Sequence, residues 1–268
     1  MRIETIFTEP APRIAADCLG RGPVVLFLHG IGGNRTNWRD QLPAFAPHYL
    51  AVAWDARGYG LSDGYDGAFD FADVSADLAR LLDHLKAERA HLVGLSMGGR
   101  IAADFYFRSS QRVASLTLVD THTGFTDLSP ALRKEYVDSR LAPLKAGKTV
   151  ADIAPVVASK LLGPDATPEV RARLEESIAS LRQEFYMKSV AATVEQDSVG
   201  DYSAINVPTH VMVGEHDPLT TPAMCRKLAD QVKGAQFTII PGAGHLSNIE
   251  NPSAFNEKAL GFIDSLSP

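Results

Sequence analysis

The stretch His91-Leu92-Val93-Gly94-Leu95-Ser96-Met97-Gly98-Gly99-Arg100-Ile101-Ala102-Ala103 constrains this chain more than any other. It opens as a short apolar run suited to a buried strand and ends in residues that form helix, so the chain must turn from strand to helix between Gly94 and Gly98. These glycines stand two residues either side of Ser96. Lacking a Cβ, they let strand and helix pass close together while the serine takes a strained backbone conformation. The hydroxyl is then expected at the top of a sheet, beside free N–H groups of the next helix that can face a forming anion. A glycine-rich βα turn with an incidental serine has the same local signature, so the meaning of Ser96 depends on partners elsewhere in the chain.

The surrounding pattern supplies the sheet. Pro23-Val24-Val25-Leu26-Phe27-Leu28 and Leu50-Ala51-Val52-Ala53-Trp54 are unbroken apolar runs, as expected of strands covered on both faces. Residues 2–7 and 13–19 read as a hairpin joined by Glu9-Pro10-Ala11-Pro12. Val74, Leu78, Leu81, Leu82 and Leu85 have helical spacing, and Leu116-Thr117-Leu118-Val119-Asp120 is a further strand. Strand and helix alternate up to Asp120, which predicts a mostly parallel doubly wound α/β sheet of about eight strands.

The rhythm then stops. Residues 121–204 hold no convincing strand, only the helix starts Ser129-Pro130, Thr149 and Thr167-Pro168. Strands resume at Thr209-His210-Val211-Met212-Val213 and Gln236-Phe237-Thr238-Ile239-Ile240. A single core domain, 1–120 and 205–268, with an inserted helical cap, 121–204, is expected, because the α/β pattern is needed on both sides of the break.

Composition bears on function mainly by exclusion. A net charge of −6 gives no nucleic-acid surface. Cys18 and Cys225 make neither a disulfide framework nor a zinc spacing, so no metal is expected. Met1 to Thr5 lack the apolar core of a signal peptide, and no apolar stretch is long enough to span a bilayer. A cytoplasmic protein without membrane contact is expected; self-association into a homo-oligomer is left open.

A serine hydroxyl needs a base to take its proton and a third group to orient the base. Two loops just past the ends of predicted parallel strands offer them: Gly214-Glu215-His216-Asp217-Pro218, and Pro241-Gly242-Ala243-Gly244-His245-Leu246-Ser247-Asn248. The order is Ser96, Asp217, His245. Asp120 also ends a strand and is the alternative acid.

With these loops, His29-Gly30 and the segment Asp55 to Ser62, nearly the whole chain resembles the α/β-hydrolase superfamily. The resemblance implies Ser96 as nucleophile, His245 as base and then acid, Asp217 as the orienting carboxylate, and the backbone N–H groups of Ile31 and Met97 as oxyanion hole. It favours Asp217 over Asp120, because the loop of Asp217 carries the family pattern. Asp55 and Arg57 are expected to pin a turn below the site, and His29 to shape the oxyanion loop.

Serine at position 96 argues against branches that use an aspartate nucleophile. Leu95 and Leu246 stand where ring-fission C–C hydrolases usually carry Asn and Trp. The chain looks most like 3-oxoadipate enol-lactonases and related carboxylesterases, on Gly94 to Gly99, Val207-Pro208-Thr209, Gly214 to Asp217 and Ile240 to Asn248. This implies hydrolysis of a small carboxylic ester or lactone without a cofactor. A C–C hydrolase of vinylogous diketones and a hydrolase-fold receptor with little turnover remain alternatives. Trp38, Tyr136, Phe185, Tyr186 and Met187 are candidates for an apolar substrate pocket, and Arg133, Arg140 and Arg182 for meeting a substrate carboxylate.

Overall fold

The computed structural model describes residues 2–125, 129–195 and 200–266. Met1 and the parts of the expected cap at 126–128 and 196–199 therefore lie outside the described residues. An eight-stranded sheet runs in the order β1-β2-β4-β3-β5-β6-β7-β8. Its strands are β1 Glu4–Phe7, β2 Ala15–Gly20, β3 Val24–Leu28, β4 Leu50–Trp54, β5 Ala90–Leu95, β6 Val113–Val119, β7 Thr209–Gly214 and β8 Gln236–Ile240. The hairpin β1–β2 is antiparallel, and β2 joins β4 antiparallel. From β4 through β8 every pairing is parallel.

Parallel strands need crossovers, and the helices that supply them bury both faces of the sheet. Between parallel strands stand α1 Gln41–Phe45, α2 Phe71–His84, α3 Met97–Ser109 and α8 Pro222–Gln231, with four more helices inserted between β6 and β7, while α9 Ser247–Glu250 and α10 Pro252–Asp264 follow β8. All five residues of β3 are buried, which is why this strand reads as an unbroken apolar run; all six of β7 are buried too, including Thr209 and His210. In α2 the apolar stripe Val74, Leu78, Leu81 and Leu82 is fully buried, and the Asp70 side chain caps the helix by accepting from the Ala72 N–H. Burial of each such side chain stabilises by roughly 1.5–3 kcal/mol.

Between β6 and β7 stand α4 Pro130–Lys145, α5 Val150–Leu161, α6 Pro168–Ala179 and α7 Gln183–Glu195. Ser129, Thr149 and Thr167 cap the first three through their side-chain oxygens, as the spacing predicts. This helical segment is fastened to the sheet domain by polar contacts. Ser177 of α6 donates to Gly32 O at 3.1 Å or lies 3.0 Å from Asn37 Oδ1, and the Arg173 guanidinium pairs with Asp40 and reaches Asn37 O at 3.0 Å. At the end of α5, Leu161 O accepts from the His245 N–H at 2.7 Å. That bond satisfies one of the carbonyls a helix leaves open at its C-terminus. Among the described residues no helix is long and apolar enough to cross a membrane.

Candidate active site

Adjacent parallel strands end at one edge of the sheet, and the candidate residues lie just beyond them. Ser96 follows β5 with φ 55° and ψ −117°, a conformation that costs a non-glycine residue about 1–3 kcal/mol. The crowding that enforces it is measurable. A Cβ on Gly94 would sit 2.3 Å from Gly98 O, and one on Gly98 2.1 Å from Leu28 O. The turn is held by Ser96 N–H donating to Val119 O at 2.8 Å and by Thr121 Oγ1 donating to Ser96 O at 2.8 Å.

Past β7 and β8, His245 Nδ1 lies 2.9 Å from Asp217 Oδ2. The other partners of Asp217 fix which way the proton runs. Its Oδ1 accepts from the N–H groups of Leu219 and Thr220 at 2.8 and 2.9 Å, and its Oδ2 accepts from Thr220 Oγ1 at 2.6 Å. With every neighbour donating to it, Asp217 is an acceptor toward His245, so Nδ1 carries the proton and Nε2 of the neutral imidazole is left to accept. Burial disfavours the Asp217 carboxylate, but the His245 charge and the hydrogen bonds from His245 and Thr220 outweigh it and hold its pKa below the usual range. Burial likewise opposes imidazolium at His245, yet the charges of Asp217, Asp120 and Glu250 leave its pKa raised.

Ser96 and His245 open into one cavity of about 400 Å³. Its lining includes Ile31 and Met97, so the loop after β3 and the start of α3 both border the cavity that Ser96 lines. A Cβ on Gly30 would lie 3.1 Å from Ser96 Cβ, which shows how closely that loop approaches. The loop is set by His29, which accepts from Ala56 N–H at Nε2 (3.1 Å) and therefore donates from Nδ1 to Gly30 O (2.8 Å). Burial lowers the His29 pKa and keeps it neutral in this role.

A sequence-family model of the alpha/beta hydrolase fold matches residues 23–252. The chain belongs to the α/β-hydrolase fold family. This α/β-hydrolase is 26% identical to 3-oxoadipate enol-lactonase 2 of Acinetobacter baylyi, over 87% of the chain and 86% of that protein. It is 29% identical to a 2-hydroxy-6-oxononadienedioate/2-hydroxy-6-oxononatrienedioate hydrolase of Cupriavidus pinatubonensis, over 94% and 90%. Among solved structures, a thermophilic esterase from Thermogutta terrifontis with malate bound matches it with a TM-score of 0.88 and 27% identity, covering 100% of both chains.

The α/β-hydrolase places its expected pocket residues in two groups. Trp38, Tyr136 and Tyr186 line the cavity; Phe185 and Met187 do not. The helical period explains the correction. On α7 it is Tyr186, Val190 and Thr193, spaced four and then three, that face the cavity. Phe185 points instead into the space left by Gly58 and Gly64 and packs on Tyr65 with ring centroids 4.8 Å apart, while Met187 packs against the core. Trp38 is both cavity wall and core, stacked on Phe27 at 5.0 Å.

Of the arginines, Arg140 lines the cavity, with its guanidinium 3.3 Å over the Tyr136 ring. Arg182 is engaged with Gly58 O and Ser62 O, and Arg133 lies in the first turn of α4, outside the lining. Asp55 and Arg57 do not pair with each other. Asp55 holds Arg35 at 2.7 Å and Leu61 N–H at 2.8 Å, whereas Arg57 binds Asp77 at 2.6 Å and Asp73 at 2.9 Å. Each still pins a turn, with partners that sequence neighbours could not reveal.

Sequence reasoning missed Thr220, although its signal was present. An Asp that accepts from the N–H groups two and three residues on is an Asx turn, and Asp217-Pro218-Leu219-Thr220 has the composition of one. The structure brings His245 to Asp217. Asp120, the alternative acid, is fully buried and occupied elsewhere: it accepts from Gly214 N–H at 2.8 Å, Ser247 N–H at 3.1 Å and Ser247 Oγ at 2.6 Å.

Proposed function

We propose that this α/β-hydrolase cleaves a carboxylic ester or lactone through an acyl-enzyme on Ser96. The observation that carries the proposal is a serine held at φ 55° in the same apolar-walled cavity as a histidine oriented by a buried carboxylate. Ser96 Oγ attacks the carbonyl carbon as His245 Nε2 takes its proton, and the N–H groups of Met97 and Ile31 receive the oxyanion. His245 then protonates the leaving oxygen, and the acyl-enzyme is released by a water that His245 deprotonates. Asp217 keeps Nδ1 protonated throughout.

The rim of the cavity supports a substrate that carries a carboxylate. Among the described residues, Arg140, Lys148 and Lys160 line it, with Arg100 deeper in, against a single acid, Asp152, on a chain of net charge −6. Asp152 is already held by the N–H and hydroxyl of Thr149. Arg140 bonds to Tyr136 O on its own helix at 3.2 Å and, among the described residues, has no ion-pair partner. The compounds named with the similar proteins, 3-oxoadipate, 2-hydroxy-6-oxononadienedioate and malate, all carry carboxylates.

Ser96→Ala should reduce hydrolysis of p-nitrophenyl esters by several orders of magnitude and abolish labelling by a serine-directed phosphonate. Retention of turnover within about tenfold would overturn the proposal. The similarity to a dienedioate hydrolase favours C–C cleavage as the second reading, and a ring-fission dienone turned over faster than esters and lactones would select it.

A further inference from the structure

All three loops that carry the candidate triad touch one dipeptide that the acyl-transfer steps do not use. Asp120 and Thr121 follow β6, the strand between the serine strand β5 and the acid strand β7. Thr121 Oγ1 donates to Ser96 O at 2.8 Å, and a Cβ on Gly99 would meet Thr121 Cγ2 at 2.7 Å. On the other side, Asp120 Oδ1 accepts from Gly214 N–H, at the root of the Asp217 loop, and Oδ2 accepts from both the N–H and the hydroxyl of Ser247, two residues past His245. The backbone is bent to allow this: Asp120 has φ 44°, a left-handed value that is unusual for a non-glycine residue. The bend turns successive side chains to opposite neighbours, Asp120 toward β7 and the histidine loop and Thr121 toward the nucleophile.

We propose that Asp120 and Thr121 are positioning residues that set the serine, acid and histidine loops in mutual register, so that triad geometry is fixed from the strand between them. The inference rests on the acyl-enzyme reading of Ser96. A strained backbone and a fully buried carboxylate are costly unless the surrounding structure uses them. Here the carboxylate also lies close to Asp217, and burial together with that neighbour pushes its pKa up to about 8 despite three donors. A hydrophobic residue would fill the same space without this penalty, but it could not accept three hydrogen bonds from two loops at once.

The test compares Thr121→Val, which keeps shape and removes the hydroxyl, with Thr121→Ser, which restores it, and with Ser247→Ala and Asp120→Asn. The readouts are kcat and KM for p-nitrophenyl acetate, the second-order rate of phosphonylation of Ser96, and the melting temperature. A displacement of about 1 Å in a reacting group can cost up to roughly a hundredfold. Thr121→Val and Ser247→Ala should therefore lower kcat and phosphonylation about tenfold or more with KM within about twofold, and Thr121→Ser should recover at least fivefold over the valine variant. Phosphonylation and kcat unchanged within twofold in both Thr121→Val and Ser247→Ala would overturn the inference, as would losses that Thr121→Ser does not recover. Should Asp120→Asn fail to fold, the other variants still decide. If the parent protein is not phosphonylated at Ser96, the acyl-enzyme reading fails; if the parent is labelled and the variants match it, only the positioning role fails.

Discussion

Asp217→Asn isolates the role of the carboxylate with almost no change in shape. In the parent, Oδ1 takes two backbone N–H groups, and Oδ2 takes the Thr220 hydroxyl and His245 Nδ1–H. Asparagine has one acceptor oxygen. The two backbone donors at 2.8 and 2.9 Å cannot turn away, so the amide oxygen stays with them and the amide nitrogen faces His245. Nδ1 must then accept, the proton moves to Nε2, and the imidazole presents a donor to Ser96 where a base is needed. Loss of the correct tautomer is expected to cost on the order of 10⁴ in kcat, about 5 kcal/mol of transition-state stabilisation. The assay is steady-state hydrolysis of p-nitrophenyl acetate, with circular dichroism to show that the fold is intact. A folded variant whose kcat stays within about tenfold of the parent would refute this account of the hydrogen-bond network.

Other outcomes follow from the same geometry. His245 must be neutral to accept the serine proton, and the charges around it leave its pKa above the usual 6.5, so kcat/KM should rise with pH through a midpoint above that value and be lost on the acid side; a pH–rate profile checks this. Gly98→Ala would drive a Cβ to 2.1 Å from Leu28 O and 2.8 Å from His29 O, both backbone, and should lower the melting temperature by at least roughly 8 °C. Gly261→Ala, in open space within α10, should raise stability by about 0.5–1 kcal/mol in chemical denaturation. Arg140→Gln should weaken kcat/KM for a mono-p-nitrophenyl ester of glutarate about tenfold or more, an interaction of roughly 1.4 kcal/mol, and leave the neutral p-nitrophenyl valerate nearly unchanged; equal losses on both would sink the carboxylate assignment.

The sequence alone determined the sheet and its direction. Short unbroken apolar runs bounded by turn residues, such as Val24–Leu28, fit strands covered on both faces, and Gly94 and Gly98 around Ser96 leave room for a close strand-to-helix turn. Helix starts at Ser129, Thr149 and Thr167 were equally legible, because a cap is made by residues within three positions of each other. The family was legible as well, from ordered motifs around Ser96, Asp217 and His245 on loops at one sheet edge. Only the tertiary structure decided what lies across space. It gave Ser247 to Asp120, turned Tyr186 into the cavity and Phe185 away from it, and paired Asp55 with Arg35 and Arg57 with Asp77. These choices depend on how segments far apart in sequence are packed. Local residue patterns carry the period of an element and its ends, whereas the angle at which one helix meets a distant loop is fixed by the packing of the whole core.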